Sequence, residues 1–306
     1  MLLRLPAHII ILLFSIALMA CGDDVVDIPD DNDNDDGCPA LTRVIEEELE
    51  EDALLDLVQK QTLKYFWDFA EPNSGMARER NTSGNLVTTG GTGFGIMAML
   101  AGAERGWLKR EEVLQRMLQI SNFLKDADRF HGAWSHWIDG TTGRALPFSQ
   151  KDNGGDLVET AFLVQGLIAA REYFDADTLL EDSLRVLVDT LWHDVNWQWY
   201  TQGDNVLYWH WSPDYGFEMN MHISGWNEAM IVYVLAAASP TYPITPEVYH
   251  QGWARNGNMK NNRYFYDIQL PLGPDFGGPL FFAHYSFLGL DPRGLHDEYA
   301  SYWEQN

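Results

Sequence analysis

Cysteine is almost absent. The 306-residue chain has two, too few for a disulfide framework or a multi-cysteine zinc centre. Basic residues are scarce as well: Lys and Arg number 20 against 45 Asp and Glu, a formal charge of −25. That balance speaks against nucleic acid as a partner, because neutralising phosphates takes clustered Lys and Arg. It speaks equally against docking on anionic lipid headgroups. Several catalytic signatures are missing. There is no Gly-x-Ser-x-Gly elbow and no His-Glu-x-x-His spacing among the nine histidines. His131 and His136 have no third ligand in register, so neither a catalytic metal nor a cofactor is expected. The run Gly90-Gly91-Thr92-Gly93-Phe94-Gly95 lacks the lysine of a phosphate loop. What remains is 46% hydrophobic and 21% charged, a globular composition.

The acidity is uneven. Residues 22–52 hold 14 acidic side chains and one basic one, Arg43. Residues 1–21 read as a secretion signal, with Arg4 as the only charge and an apolar run over Ile9–Ala20 too short for a confident membrane span. The run ends Leu18-Met19-Ala20-Cys21, which resembles a bacterial lipoprotein box, so Cys21 is the expected lipidation site. The bland alternative is an ordinary cleavable signal. Residues 22–45 are low-complexity and self-repelling, and are expected to be a disordered tether. The expected location is the bacterial cell envelope, with the lipid anchor as the only membrane contact. Oligomeric state has no sequence signal.

From residue 46 onward the clear periodicity is helical, and an all-α domain is expected over 46–306. Ala53–Phe69 sets Leu54, Leu57, Val58, Tyr65 and Phe69 on one stripe. Further helices are expected at Gly93–Ala103, Glu111–Leu124, Gly155–Tyr173, Thr178–Trp192 and Trp226–Ala238. Short ones are expected near Leu280–Leu288 and Leu295–Trp303, and Asp126–Pro147 reads as loop. Gly155–Tyr173 and Trp226–Ala238 are apolar nearly all round, whereas Glu111–Leu124 and Thr178–Trp192 are amphipathic. Inner apolar helices alternating with outer amphipathic ones describe an (α/α)6 toroid. Such a toroid needs twelve helices, and about eight are legible, so the toroid is expected to be incomplete at its C-terminal side.

Three constellations can carry chemistry. In Lys151-Asp152-Asn153-Gly154-Gly155-Asp156-Leu157-Val158-Glu159, the acids Asp152, Asp156 and Glu159 stand at i, i+4 and i+7, on one helix face or its N-terminal approach. One acid in a first turn is explained by the helix dipole alone. Three are not, and their mutual repulsion raises at least one pKa. In Gly225-Trp226-Asn227-Glu228-Ala229-Met230, Glu228 opens an apolar helix beside a tryptophan, the setting that raises a carboxyl pKa for general-acid work. The alternative is a glutamate capping its own helix. The third feature is aromatic. Trp192, Trp197, Trp199, Trp209, Trp211 and Trp226 are half of the 12 tryptophans and lie within 35 residues. Mixed with Asp, Asn and His, and without basic partners, such rings suit the C–H faces of sugars better than stacked bases. Core packing is the competing account for each.

These stretches resemble the bacterial glycoamylase-like domain that includes glycoside hydrolase family 144. The resemblance is carried by Asp152–Leu163 with Gln165-Gly166-Leu167, by Tyr208-Trp209-His210-Trp211-Ser212-Pro213, and by Gly225-Trp226-Asn227-Glu228 running on to Ser239-Pro240-Thr241. Tyr65-Phe66-Trp67-Asp68-Phe69 and Asp291-Pro292-Arg293-Gly294 fit as well, so it spans about residues 54–300. It implies an (α/α)6 barrel and hydrolysis of β-1,2-glucan, endo-acting or sophorose-releasing, usually with inversion. Acids matching Asp152, Asp156, Glu159 and Glu228 line the family's substrate pocket. Glu228 is the expected general acid. Asp152, Asp156 and Glu159 share base, water-positioning and substrate roles that the sequence does not divide. Asn153, Trp209, Trp211, Trp226 and Asn227 are the expected substrate contacts. Family domains continue past the point where this chain ends. A non-catalytic glycan-binding lipoprotein, or a related glucan hydrolase or transglycosylase of other linkage, remain the alternatives.

Overall fold

The computed structural model describes residues 49–303. The expected signal at 1–21, the lipidation site Cys21 and the tether at 22–45 lie outside the described residues.

The first half alternates helices with short strands. Helix α1 spans Glu51–Trp67. Strand β1 (Leu86–Thr88) leads directly into α2 (Thr89–Glu104), and α3 follows at Arg110–Asp126. Strands β2 (Trp137–Asp139), β3 (Ala145–Leu146) and β4 (Gly155–Asp156) precede α4 (Leu157–Tyr173) and α5 (Leu179–His193). After them come β5 (Leu207–Tyr208), β6 (His210–Trp211), β7 (His222–Ile223) and α6 (Met230–Ala238). A hairpin of β8 (Lys260–Phe265) and β9 (Ile268–Leu272) lies in the C-terminal part. The strands pair antiparallel in four small sheets: β1-β2-β3, β4-β6, β5-β7 and β8-β9.

Helix α4 is the centre. Eleven of its residues, from Leu157 to Ala170, are buried. It packs against α2 and α5 and also against α6, while α1 covers α2 and α3 covers α5. The α2–α4 contact explains the glycine-rich run. A Cβ on Gly93 would lie 2.0 Å from the Phe162 carbonyl oxygen, and one on Gly166 2.4 Å from that of Gly93. The two backbones touch, which only glycine permits. That run is a helix-packing surface.

Several expectations are corrected. The Ala53–Phe69 stripe is not the buried face of α1: Leu54, Val58 and Phe69 are exposed, and Leu63 is the helix's buried residue, against Gly102. Periodicity marks an apolar side but not what covers it. The region 126–147 is not all loop, since it supplies β2 and β3. Residues 226–229 form a turn, because the Asn227 side chain accepts the Ala229 N–H at 2.9 Å and delays the start of α6. No helix forms over 295–303. There the Asp297 carboxylate takes the N–H groups of Tyr299 and Ala300 at 2.8 and 2.9 Å, closing a side-chain turn instead. The segment 280–288 folds as two short 3-10 turns. The β8–β9 hairpin was not legible because its two-residue turn, Tyr266-Asp267, has positive φ at both positions (54° and 63°) without the usual Asn-Gly or Asp-Gly.

Candidate active site

The acid-rich segment takes the second of the two expected forms, the N-terminal approach to a helix rather than one of its faces. It is a loop, a cap and a first turn held from three sides. Asp152 lies in the loop, and its backbone oxygen accepts the Phe148 N–H at 2.8 Å. Asp156 is the N-cap of α4. Its Oδ1 accepts the N–H groups of Val158 and Glu159, each at 3.0 Å. Glu159 stands in the first turn, and its Oε2 accepts the Gly90 N–H at 2.9 Å. The approach to the helix is pinned as β4 against β6, with Gly155 opposite Trp211 and Asp156 opposite His210. Both glycines before the cap are required by close approach. A Cβ on Gly154 would fall 2.3 Å from the Trp211 carbonyl oxygen, and one on Gly155 2.0 Å from the Tyr200 hydroxyl.

Two histidines reach the acids, His210 through the pairing of β4 with β6 and His136 from just before β2. His136 Nδ1 lies 3.1 Å from Asp156 Oδ2. His210 Nε2 lies 3.3 Å from Asp152 Oδ2 and 3.6 Å from Asp156 Oδ2. Asp156 is fully buried, so its two oxygens are spent on two backbone donors and the two imidazoles. Asp152 is also buried, and among the described residues neither its Oδ1 nor His210 Nδ1 has a hydrogen-bond partner. Glu159 is half-buried, and burial together with the charge of Asp156 pushes its carboxyl up to about 7, against the opposing pull of His136 and the Gly90 hydrogen bond. Burial pulls the His136 pKa down, but the hydrogen bond to Asp156 and the charges of Glu159, Asp156 and Asp152 outweigh it and raise it to about 9. The His210 pKa is raised too, burial being outweighed by Asp152 and Asp156.

His136, Asp152 and Asp156 each bring one ligating atom within 4.8 Å of the others.

Glu228 lies apart, in the turn before α6. Among the described residues no hydrogen bond or ion pair joins its carboxylate to the Asp152–Glu159 group. It is half-buried, and burial raises its carboxyl pKa, partly offset by its own backbone N–H. Ser286 fixes the turn from a distant segment: its hydroxyl donates to the Glu228 carbonyl at 2.6 Å and accepts the Ile231 N–H at 3.0 Å. Next to it, Trp226 and Asn227 join Gly225, Arg255, Asn258 and Met259 around an open cavity of about 390 Å³.

The expected substrate contacts divide. Trp209 and Trp211 are half-buried, and Trp211 sits among Phe130, His131 and Trp199. Trp226 is mostly core, stacked on Tyr302 with ring centroids 5.7 Å apart. The Asn153 amide is engaged within the protein, accepting from Ser212 Oγ and donating to Asp214, both at 2.6 Å. Sequence reasoning missed His136, His210 and Gly90. The Trp209-His210-Trp211 stretch was noticed for its rings, and its histidine was the available signal.

The family model described as putative glucoamylase matches residues 220–306. An exo β-1,2-glucooligosaccharide sophorohydrolase (non-reducing end) from Parabacteroides distasonis is 49% identical over 277 residues, which is 84% of this chain and 38% of that protein. An endo-β-1,2-glucanase from Chitinophaga pinensis, solved with sophorotriose and glucose, superposes with a TM-score of 0.82 at 52% identity, over 85% of this chain and 65% of its own. Residues 220–306 thus match a glycoamylase-like domain, and the chain is similar to these proteins over most of its length. A putative glucoamylase from Bacteroides uniformis is equally similar, with a TM-score of 0.82 at 53% identity over 85% of this chain and 64% of its own. The chain spans less than two thirds of the length of each of these relatives.

Proposed function

We propose that this chain is a glycoside hydrolase that cleaves β-1,2-glucan with inversion, endo-acting or sophorose-releasing. The observation that carries this reading is identity of 49–52% over 84–85% of the chain with proteins named for action on that glucan. The site supports it chemically. Glu228, its pKa raised by burial, serves as the acid that protonates the glycosidic oxygen as the anomeric C–O bond breaks. A carboxylate of the α4 group removes a proton from the water that attacks the anomeric carbon from the other face. In an inverting pair the two carboxyls stand roughly 6.5–9.5 Å apart. Glu159 is the partner favoured for water or substrate, since it is half-open and, among the described residues, one of its oxygens has no hydrogen-bond partner. Asp156, whose oxygens face protein groups, is assigned a positioning role. Asp152 stands between these two. Trp209 and Trp211 are assigned to sugar contacts.

The same reading takes α2, α4 and α6 as inner and α1, α3 and α5 as outer helices of an (α/α)6 toroid, supported by the packing of α2 and α6 against α4. It also takes Cys21 as a lipid-anchored N-terminus tethered by residues 22–45 in the bacterial envelope. Replacing Cys21 with Ser is then expected to release the protein from the membrane fraction, and unchanged partitioning refutes the anchor.

The test of function is release of reducing ends from linear β-1,2-glucan by the full chain and by Glu228→Gln. Activity in the first and its loss in the second supports the reading. Equal activity removes Glu228 from the mechanism. A folded wild type that releases nothing from this glucan refutes the hydrolase.

A further inference from the structure

Beside the acid group lies a feature that neither the motifs nor the family match uses. His136 is held at one ring nitrogen and partly open at the other: Nδ1 meets Asp156, and the side chain remains 24% exposed. Its ring packs on Phe148 with centroids 4.2 Å apart and meets the edge of Trp137 at 6.0 Å. Phe148 and Trp137 in turn touch at 4.8 Å. Phe148 is 48% exposed, although it is a large apolar ring whose backbone is tied to Asp152.

We propose that His136, Phe148 and Trp137 form a sugar-binding subsite next to Glu159, in which Asp156 fixes the imidazole so that its Nε2–H donates to a glucan hydroxyl while a glucosyl ring stacks on Phe148. The inference rests on the glucan-hydrolase reading and adds to it the subsite's own residues. An exposed ring on a rigid loop provides the apolar face that a pyranose C–H surface requires. The histidine beside it has Nδ1 taken by Asp156, which leaves Nε2 as the ring nitrogen turned to a ligand. Behind it, His210 positions Asp152 and Asp156, so that the donor does not swing away when substrate binds. The charged groups that face His136 are Asp152 and Asp156 before α4, Glu159 on α4, His210 on β6 and Glu79 before β1.

The test is kinetics on β-1,2-linked oligosaccharides with His136→Phe and Phe148→Ala. Phe148 is exposed enough that its loss leaves the fold intact even if a histidine variant does not fold. KM is expected to rise on the order of tenfold in His136→Phe and several-fold in Phe148→Ala, with kcat changed less. Wild-type activity with both KM values unchanged overturns the subsite and leaves the hydrolase standing. Absence of wild-type activity refutes the hydrolase and, with it, the subsite's sugar contact.

Discussion

Raising the pH should loosen this protein before it reaches any tyrosine or lysine. His136 has an ordinary pKa of 6.5 and a folded-state value of about 9, so the native state holds a proton that the unfolded chain gives up earlier. The stabilisation is therefore complete below 6.5 and is lost as the pH rises through about 9. At 1.36 kcal/mol per pH unit that interval corresponds to about 3 kcal/mol. The imidazole is 24% exposed, so most of this survives screening by solvent. Against a typical total of 5–15 kcal/mol it is a large share, and it amounts to a fall in Tm of about 6–12 °C for a domain of this size. His210 acts with the same sign, and so does Glu159 at lower pH, where its carboxyl stays protonated in the folded state up to about 7. The assay is urea unfolding followed by circular dichroism at closely spaced pH values from 6 to 9.5, for the wild type and His136→Gln. The variant should be less stable at pH 6 and should show a shallower decline, with the remainder owed to His210. A wild-type stability that is flat across this range refutes the charged His136–Asp156 pair, as does an identical slope in the variant.

Other predictions are more local. Glu228→Gln should cut turnover on β-1,2-glucan by two or more orders of magnitude at similar KM, on the order expected for losing general-acid help; reducing-end assays decide it. Gly93→Ala should destabilise by about 1–3 kcal/mol or more, because its methyl would fall 2.0 Å from the Phe162 carbonyl oxygen; an unshifted melting curve contradicts the close α2–α4 crossing. Trp226→Ala should act on stability, by about 3–5 kcal/mol, since the ring is packed on Tyr302. Trp209→Ala should act on affinity instead, weakening oligosaccharide binding by up to about tenfold in calorimetry with a smaller loss of Tm. The reverse pattern would exchange their roles.

The longer helices of the described residues were legible in local sequence, whereas the C-terminal segments 280–288 and 295–303 were not. Apolar spacing located α3 and α5 to within one or two residues, because each buries one side and helical period alone marks that side. The acids Asp152, Asp156, Glu159 and Glu228 were legible because carboxylates beside glycines or tryptophan, at the start of an apolar helix, conflict with burial and so call for another reason. What the sequence could not determine is which groups stand opposite one another. His136 and His210 lie 74 residues apart in number, and only antiparallel pairing of β4 with β6 and the position of β2 bring them to the same carboxylates. Ser286 reaches the start of α6 from 58 residues beyond Glu228. Whether a tryptophan is core or cleft is also a tertiary matter: Trp226 and Trp211 are each followed by a polar residue in sequence, but one stacks under Tyr302 and the other remains half-open. Local patterns fix which residues are costly to bury. Only the packed chain decides which partner offsets that cost, and so which carboxylate is free to meet a substrate.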